Sequence, residues 1–207
     1  MTIDLTPVSL EGKRIRLEPL DLAWHWEGLL AIGLDPDLWR WSLTAIESAE
    51  DLRAYLEAAV ADRAVGRALP FATRDLASGR IAGTTRFGTI DHGNRRVEIG
   101  WTWIGRDFQR SYVNTEAKYL MLRYAFERWD CVRVELKTHV DNERSRAAML
   151  RIGCTFEGVL RSYQTSNRGV TRDSAMFSLV AREWPEVKGR LERMMEREPV
   201  GGLPPKK

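Results

Sequence analysis

Hydrophobic and polar positions follow two different periods along this chain, and each change of period marks an element. Ile15 and Leu17 alternate with Arg14, Arg16 and Glu18, so residues 13–19 read as a half-exposed first strand that Pro19 stops. Residues 21–32 and 35–42 read as short helices. They carry Trp24, Trp26, Trp39 and Trp41, which form either a packed aromatic layer of core or an apolar wall for a substrate. Ser48, Glu50 and Asp51 open a clearer helix with Leu52, Tyr55, Leu56, Ala59 and Val60 on its inner face, closed by Gly66. Residues 69–74 and 81–89 read as strands around the turn Leu76-Ala77-Ser78-Gly79, and a further strand follows Asp91-His92-Gly93-Asn94.

The centre of the chain is a strand, a polar loop and a helix in direct succession. Residues 97–104 are aromatic and β-branched, with Gly100 as a bulge or a point of close approach, and Gly105 ends the strand. Val113, Ala117, Leu120, Met121, Tyr124 and Ala125 then recur at helical spacing and predict one buried face. Ser111 is the N-cap. Capped there, the helix leaves the backbone N–H groups of Tyr112, Val113 and Asn114 pointing outward beside Arg110, which outlines a phosphate site. Residues 132–140 return to strict alternation; a strand, a helix and a strand in sequence predict a parallel pair with a right-handed crossover. Asp141-Asn142-Glu143-Arg144-Ser145 opens a short helix that Asn142 caps and Gly153 stops. Two strands flank Ser166-Asn167-Arg168-Gly169, Trp184-Pro185 starts a last helix, and residues 198–207, rich in Pro, Gly and Lys, are expected to be disordered.

With 207 residues and 43% hydrophobic content the chain is expected to fold as a single domain over residues 1–197. Its formal charge of +3 is spread over interleaved acids and bases, with no dense basic run, so nucleic acid is not an expected partner. Cys131 and Cys154 have no metal-ligand spacing, and His25, His92 and His139 are the only histidines to help them, so neither a metal site nor a disulfide framework is expected. The N-terminal residues lack a signal pattern and no apolar window is long enough for a membrane span, from which a cytoplasmic protein without a membrane partner is expected.

Two motifs at this spacing resemble the GNAT superfamily of acyl-CoA-dependent N-acetyltransferases, in particular the ribosomal-protein N-terminal acetyltransferase branch. Gln109-Arg110-Ser111-Tyr112-Val113-Asn114 is similar to the family's pyrophosphate loop and helix start, and Asp141 to Ser145 resembles the family's Asn-x-x-Ser segment. Glu98-Ile99-Gly100-Trp101 precedes them, and the resemblance covers roughly residues 10–182. It implies an α+β (α/β) fold: one mixed, mostly antiparallel twisted sheet whose central parallel strands splay apart, flanked by helices. It also implies acetyl-CoA, or another acyl-CoA, as co-substrate. The pantetheine arm would lie between the splayed strands like an added strand, and the pyrophosphate would meet the N–H groups after Gln109. Tyr112 departs from the pattern, since the family usually has glycine there; a helical tyrosine still offers its N–H, with its ring expected in solvent or over the adenine side.

Acyl transfer from a thioester to an amine needs a neutral amine, support for an oxyanion and a proton for the thiolate. Glu98 is the candidate base, directly or through water, or else a carboxylate paired with Arg95 or Arg96. Backbone N–H groups near Trp103 and Ile104 would polarise the carbonyl, as the resemblance implies. Ser145 is either the proton donor to sulfur or a capping serine; Asn142 either contacts the pantetheine region or is a plain N-cap. Arg146 and Arg151 reach the nucleotide phosphates or are solvated. The acceptor is a primary amine on a protein N-terminus or a small molecule. A detoxifying acetyltransferase and a non-catalytic acyl-CoA sensor are the competing readings, and self-association stays open.

Overall fold

The structure is a computed structural model that describes residues 3–197; the expected disordered tail lies outside the described residues. The elements run β1 (Leu10–Glu11), β2 (Ile15–Pro19), α1 (Leu22–Gly33), α2 (Pro36–Trp39), α3 (Ala49–Ala64), β3 (Leu69–Asp75), β4 (Ile81–Asp91) and β5 (Arg96–Ile104). There follow α4 (Tyr112–Arg123), β6 (Arg133–His139), α5 (Glu143–Arg151), β7 (Thr155–Thr165), β8 (Thr171–Val180) and α6 (Trp184–Arg197). The strands form one sheet in the order β1-β2-β3-β4-β5-β6-β8-β7. Every neighbouring pair is antiparallel except β5 and β6, which are parallel and joined through α4.

Alternation along the strands feeds two cores, one on each face of the sheet. Phe71 and Ala82 belong to a cluster with Val113, Ala117 and Met121 of α4 and Leu191 of α6. Their neighbours Ala72 and Ile81 point the other way, into a cluster with Leu29 of α1 and Leu52 and Leu56 of α3. Capping follows the polar residues at the helix starts: Asp21 on α1, a reciprocal Ser48 and Asp51 box on α3, and Asn142 on α5.

Two expectations need correction. Residues 35–42 hold a single four-residue helix, α2, whose last residue, Trp39, donates its indole N–H back to the Gly33 carbonyl at 2.7 Å. The tryptophans do not form one layer either: Trp39 is buried, while Trp24 is 80% exposed because the buried stripe of α1 runs through His25, Leu29 and Gly33.

The feature that shapes the site is the pairing of β5 with β6. It covers only Arg96 with Arg133, Val97 with Val134 and Glu98 with Glu135. Beyond Glu98, β5 stays on β4 as far as Ile104, and β6 stays on β8 as far as His139. The sheet therefore opens between them, leaving two strand edges without a ladder partner among the described residues.

Candidate active site

A cleft of about 570 Å³ fills the opening, lined by β5 from Glu98 to Ile104, by β6, by the start of α4 and by α5. Pockets of this size hold small ligands and cofactors. Its apex is where the ladder ends, at Glu98, which is 5% exposed. Glu98 Oε2 accepts from Thr89 Oγ1 at 2.9 Å and from the Lys137 ammonium. The alternative pairing with Arg95 or Arg96 is thus corrected: Arg95 bonds Asp130, and Arg96 bonds Asp91 and Glu135. The second carboxylate oxygen of Glu98 lies over Gly100, where a Cβ would come within 2.9 Å of it. Gly100 therefore leaves room for the carboxylate, and the bulge falls just after it. Thr84 pairs with Trp103 but Arg86 with Gly100, so Thr85 stands opposite both Trp101 and Thr102. Trp101 takes a φ of 50° there, a costly conformation for a bulky residue. Its ring lies between the Arg86 guanidinium at 4.3 Å and the Lys137 ammonium at 5.5 Å, over Gly88.

At the other end of the cleft, Ser111 caps α4, accepting from the Val113 N–H at 3.3 Å while its hydroxyl donates to the Phe108 carbonyl at 2.6 Å. Among the described residues, the N–H groups of Tyr112 and Asn114 meet no backbone acceptor. Arg110 is exposed in a left-handed conformation, φ 58°. Gln109 joins the two walls: it donates to the Ile104 carbonyl at 2.8 Å and accepts from Arg144 at 3.0 Å.

The expectation for Tyr112 is overturned, because its ring is in the core rather than in solvent or beside the cleft. The hydroxyl donates to Asp75, whose other oxygen accepts from the Ser78 N–H at 2.9 Å, and the Arg14 guanidinium stacks 4.3 Å above the ring. Burial, and then the bond to Asp75, push the phenol up to about 12. A sequence motif cannot show this, since Asp75 lies on a distant hairpin.

On α5, Asn142 accepts from the Ser145 N–H at 3.1 Å, so the capping reading of Asn142 is observed; both residues also line the cleft. Arg146 does not: it donates to the Val140 carbonyl at 3.0 Å and lies over Phe156. Arg144 and Arg151 line the cleft in its place, the latter held by Thr115 Oγ1 at 3.0 Å. Trp103 is 5% exposed, packs on Trp39 at 5.5 Å, and has an indole N–H with no partner among the described residues.

Several cleft residues were not singled out from sequence. Lys137 sits on the polar side of an alternating strand, two residues beyond Glu135, the register partner of Glu98, and its ammonium reaches back to the Glu98 carboxylate; strand pairing alone points to Glu135. Lys118 lies on the inner stripe of α4 with Asn114 and Met121, so a helical count shows it facing inward. Arg172 reaches the cleft from β8, donating to the Trp41 carbonyl at 2.5 Å and to Gln164 at 3.2 Å; no local signal marks it. Among the described residues no three His, Cys, Asp or Glu side chains converge as a metal site requires.

Residues 14–155 match the family model described as an acetyltransferase (GNAT) domain. The chain belongs to the GNAT family. A GCN5-related N-acetyltransferase from Brucella melitensis has a similar structure, with TM-score 0.84, 31% identity and coverage of 90% of this chain and 85% of that one. Mycobacterium smegmatis RimJ, solved with CoA-disulfide, shares the fold at TM-score 0.75 and 22% identity, over 92% of this chain and 96% of that one. In sequence, the chain is 37% identical over 109 residues to YdaF of Bacillus subtilis (strain 168), which carries the provisional name of a ribosomal N-acetyltransferase. That match spans 53% of this chain and 58% of YdaF, so the chain spans little more than half the length of this curated relative. The mixed sheet, its single parallel pair and the flanking helices are the GNAT fold the motifs implied.

Proposed function

We propose that the protein transfers an acetyl or other short acyl group from acyl-CoA to a primary amine, with the N-terminal amine of a protein as the favoured acceptor. The observation that carries this is the continuity of one cleft from Glu98, at the apex of the splayed strands, to the capped start of α4. The residues fit such a co-substrate. Outward N–H groups at Tyr112 and Asn114, with Arg110 beside them, suit a pyrophosphate. The unladdered edges of β5 and β6 suit the amides of a pantetheine arm.

In this reading Gln109, Arg110, Ser111, Tyr112, Val113 and Asn114 hold the diphosphate through their backbone, and Arg144 and Arg151 replace Arg146 as side-chain contributors. N–H groups of β5 near Trp103 and Ile104 support the oxyanion. Glu98 accepts the proton of the attacking amine, directly or through water, and Ser145 returns one to the sulfur. The acceptor preference rests on protonation: at pH 7 an α-amino group near 7.8 is about one-tenth neutral, a lysine near 10.4 only about one part in two thousand. The name of YdaF points the same way.

A purified sample incubated with acetyl-CoA and a panel of N-terminal peptides, polyamines and aminoglycosides, followed by mass spectrometry, tests the reading. Acetylation of peptide N-termini is expected. Acetylation of the small amines alone would move the protein to the detoxifying class, and CoA binding without any product would make it a sensor.

A further inference from the structure

Lys118 projects from the inner face of α4 into the wall of the cleft and is 6% exposed. Its ammonium donates to Thr102 Oγ1 at 2.7 Å and to Thr85 Oγ1 at 3.4 Å, two neutral hydroxyls that lie 2.8 Å apart. The groups facing it are these threonines of β5 and β4 and, from the loop before β7, Cys154, whose thiol burial pushes up to about 12 and so keeps neutral. Among the described residues no carboxylate pairs with Lys118. An ammonium has three donors, and burying one without a counter-charge is costly. Burial accordingly brings Lys118 down to about 8, which leaves it mostly protonated at pH 7.

A positive charge held there is explained by a negative one that arrives with the ligand. The diphosphate is not that group, because Lys118 follows the Ser111 cap by about two helical turns, roughly 10 Å along α4. Thr102, by contrast, belongs to the bulge in the part of β5 that has left β6, and its hydroxyl lies 3.3 Å from the Gly100 carbonyl. Trp103 and Ile104 follow it directly on β5, and their N–H groups are the ones the acyl-CoA reading sets at the thioester, where the leaving sulfur becomes charged.

We propose that Lys118 is the counter-ion of the CoA sulfur, holding it as the thiolate when the acyl group departs. The inference rests on the acyl-CoA reading above. As the amine nitrogen bonds to the acyl carbon, its proton passes towards Glu98. The C–S bond then breaks with its electron pair on sulfur, and Lys118 keeps its own proton. Protonation of the sulfur, through Ser145 or from solvent, follows and is not needed for bond cleavage.

The test compares the dissociation constants of CoA and S-methyl-CoA at pH 6 and pH 8, by calorimetry on the full chain. An ordinary thiol ionises near 8.5; with the bound thiol held about two units lower, the preference for CoA grows about tenfold over this range. In Lys118→Met the preference is expected to stay flat, while S-methyl-CoA binds nearly as in the wild type, which also reports that the variant is folded. Lys118→Arg, which keeps the charge, is expected to retain part of the growth. A wild type that binds both ligands with no growth in preference overturns the role of Lys118 and leaves the acyl-CoA reading standing; equal growth in Lys118→Met does the same. If the wild type binds neither ligand, both readings fall. Should the methionine variant not fold, the same comparison in Lys118→Gln decides the matter: a flat preference is expected, and growth equal to the wild type overturns the role of Lys118.

Discussion

Tyr112 and Glu98 show how differently a residue of the motif can be committed. Tyr112 has no ring in the cleft, and its hydroxyl fixes the start of α4 to the β3–β4 hairpin through Asp75. Tyr112→Phe is therefore expected to cost about 1–3 kcal/mol of stability, as a buried bond to a charged acceptor does, and to change CoA affinity less than twofold. Thermal unfolding and a CoA titration on the same samples check it; a tenfold change in affinity would place the ring at the cofactor after all. Because that ring leaves its own N–H free, the departure from glycine is no argument for a sensor. Glu98 faces Lys137 and Thr89 at the apex of the cleft. Glu98→Gln is expected to lower turnover more at pH 7 than at pH 9, where more of the amine is already neutral, and to leave CoA binding unchanged. A loss that is the same at both pH values would make Glu98 a structural partner of Lys137.

At the scale of elements, α4 combines three tasks: it caps towards the solvent end of the cleft, packs on the sheet and buries Lys118. Removing the cap with Ser111→Ala should cost about 1 kcal/mol of stability and also weaken CoA, since the same turn presents the free N–H groups. Lys118 should make the fold sensitive to alkaline pH in the opposite sense from a paired lysine. Burial lowers it in the folded state from the ordinary 10.5 to about 8, so the native state binds fewer protons than the unfolded chain between those values. Stability then rises with pH through that window and is reduced below it. Lys118→Met should raise the melting temperature at pH 7 by several degrees, with the gain shrinking towards pH 10. A variant less stable at every pH would show that the threonine contacts outweigh the buried charge.

These helices and strands were legible because alternation and capping are local. The Ser111 and Asn142 caps, the strand around Leu136 and the parallel pair followed from spacing and order alone. What was not legible depended on contacts across the chain. The partner of Glu98 is set by register between β5 and β6, the direction of Arg146 by Phe156 on β7, and the fate of Tyr112 by Asp75. Gly100 reads from sequence as a bulge or a point of close approach; the register shift puts the bulge at Trp101 and Thr102, and close approach is what Gly100 provides, to the Glu98 carboxylate.

For the whole molecule, the account turns on one property of the sheet: two strands pair for three residues and then part, leaving amide edges that a ligand can complete. Amide hydrogen exchange with and without acetyl-CoA, in the presence of EDTA, measures this directly. The account predicts slowed exchange in residues 99–104 of β5, in residues 136–139 of β6 and in residues 110–114 at the start of α4, with little change in β1 to β3. Protection that appears elsewhere, or only when metal is present, or not at all in the two strand edges, would contradict it.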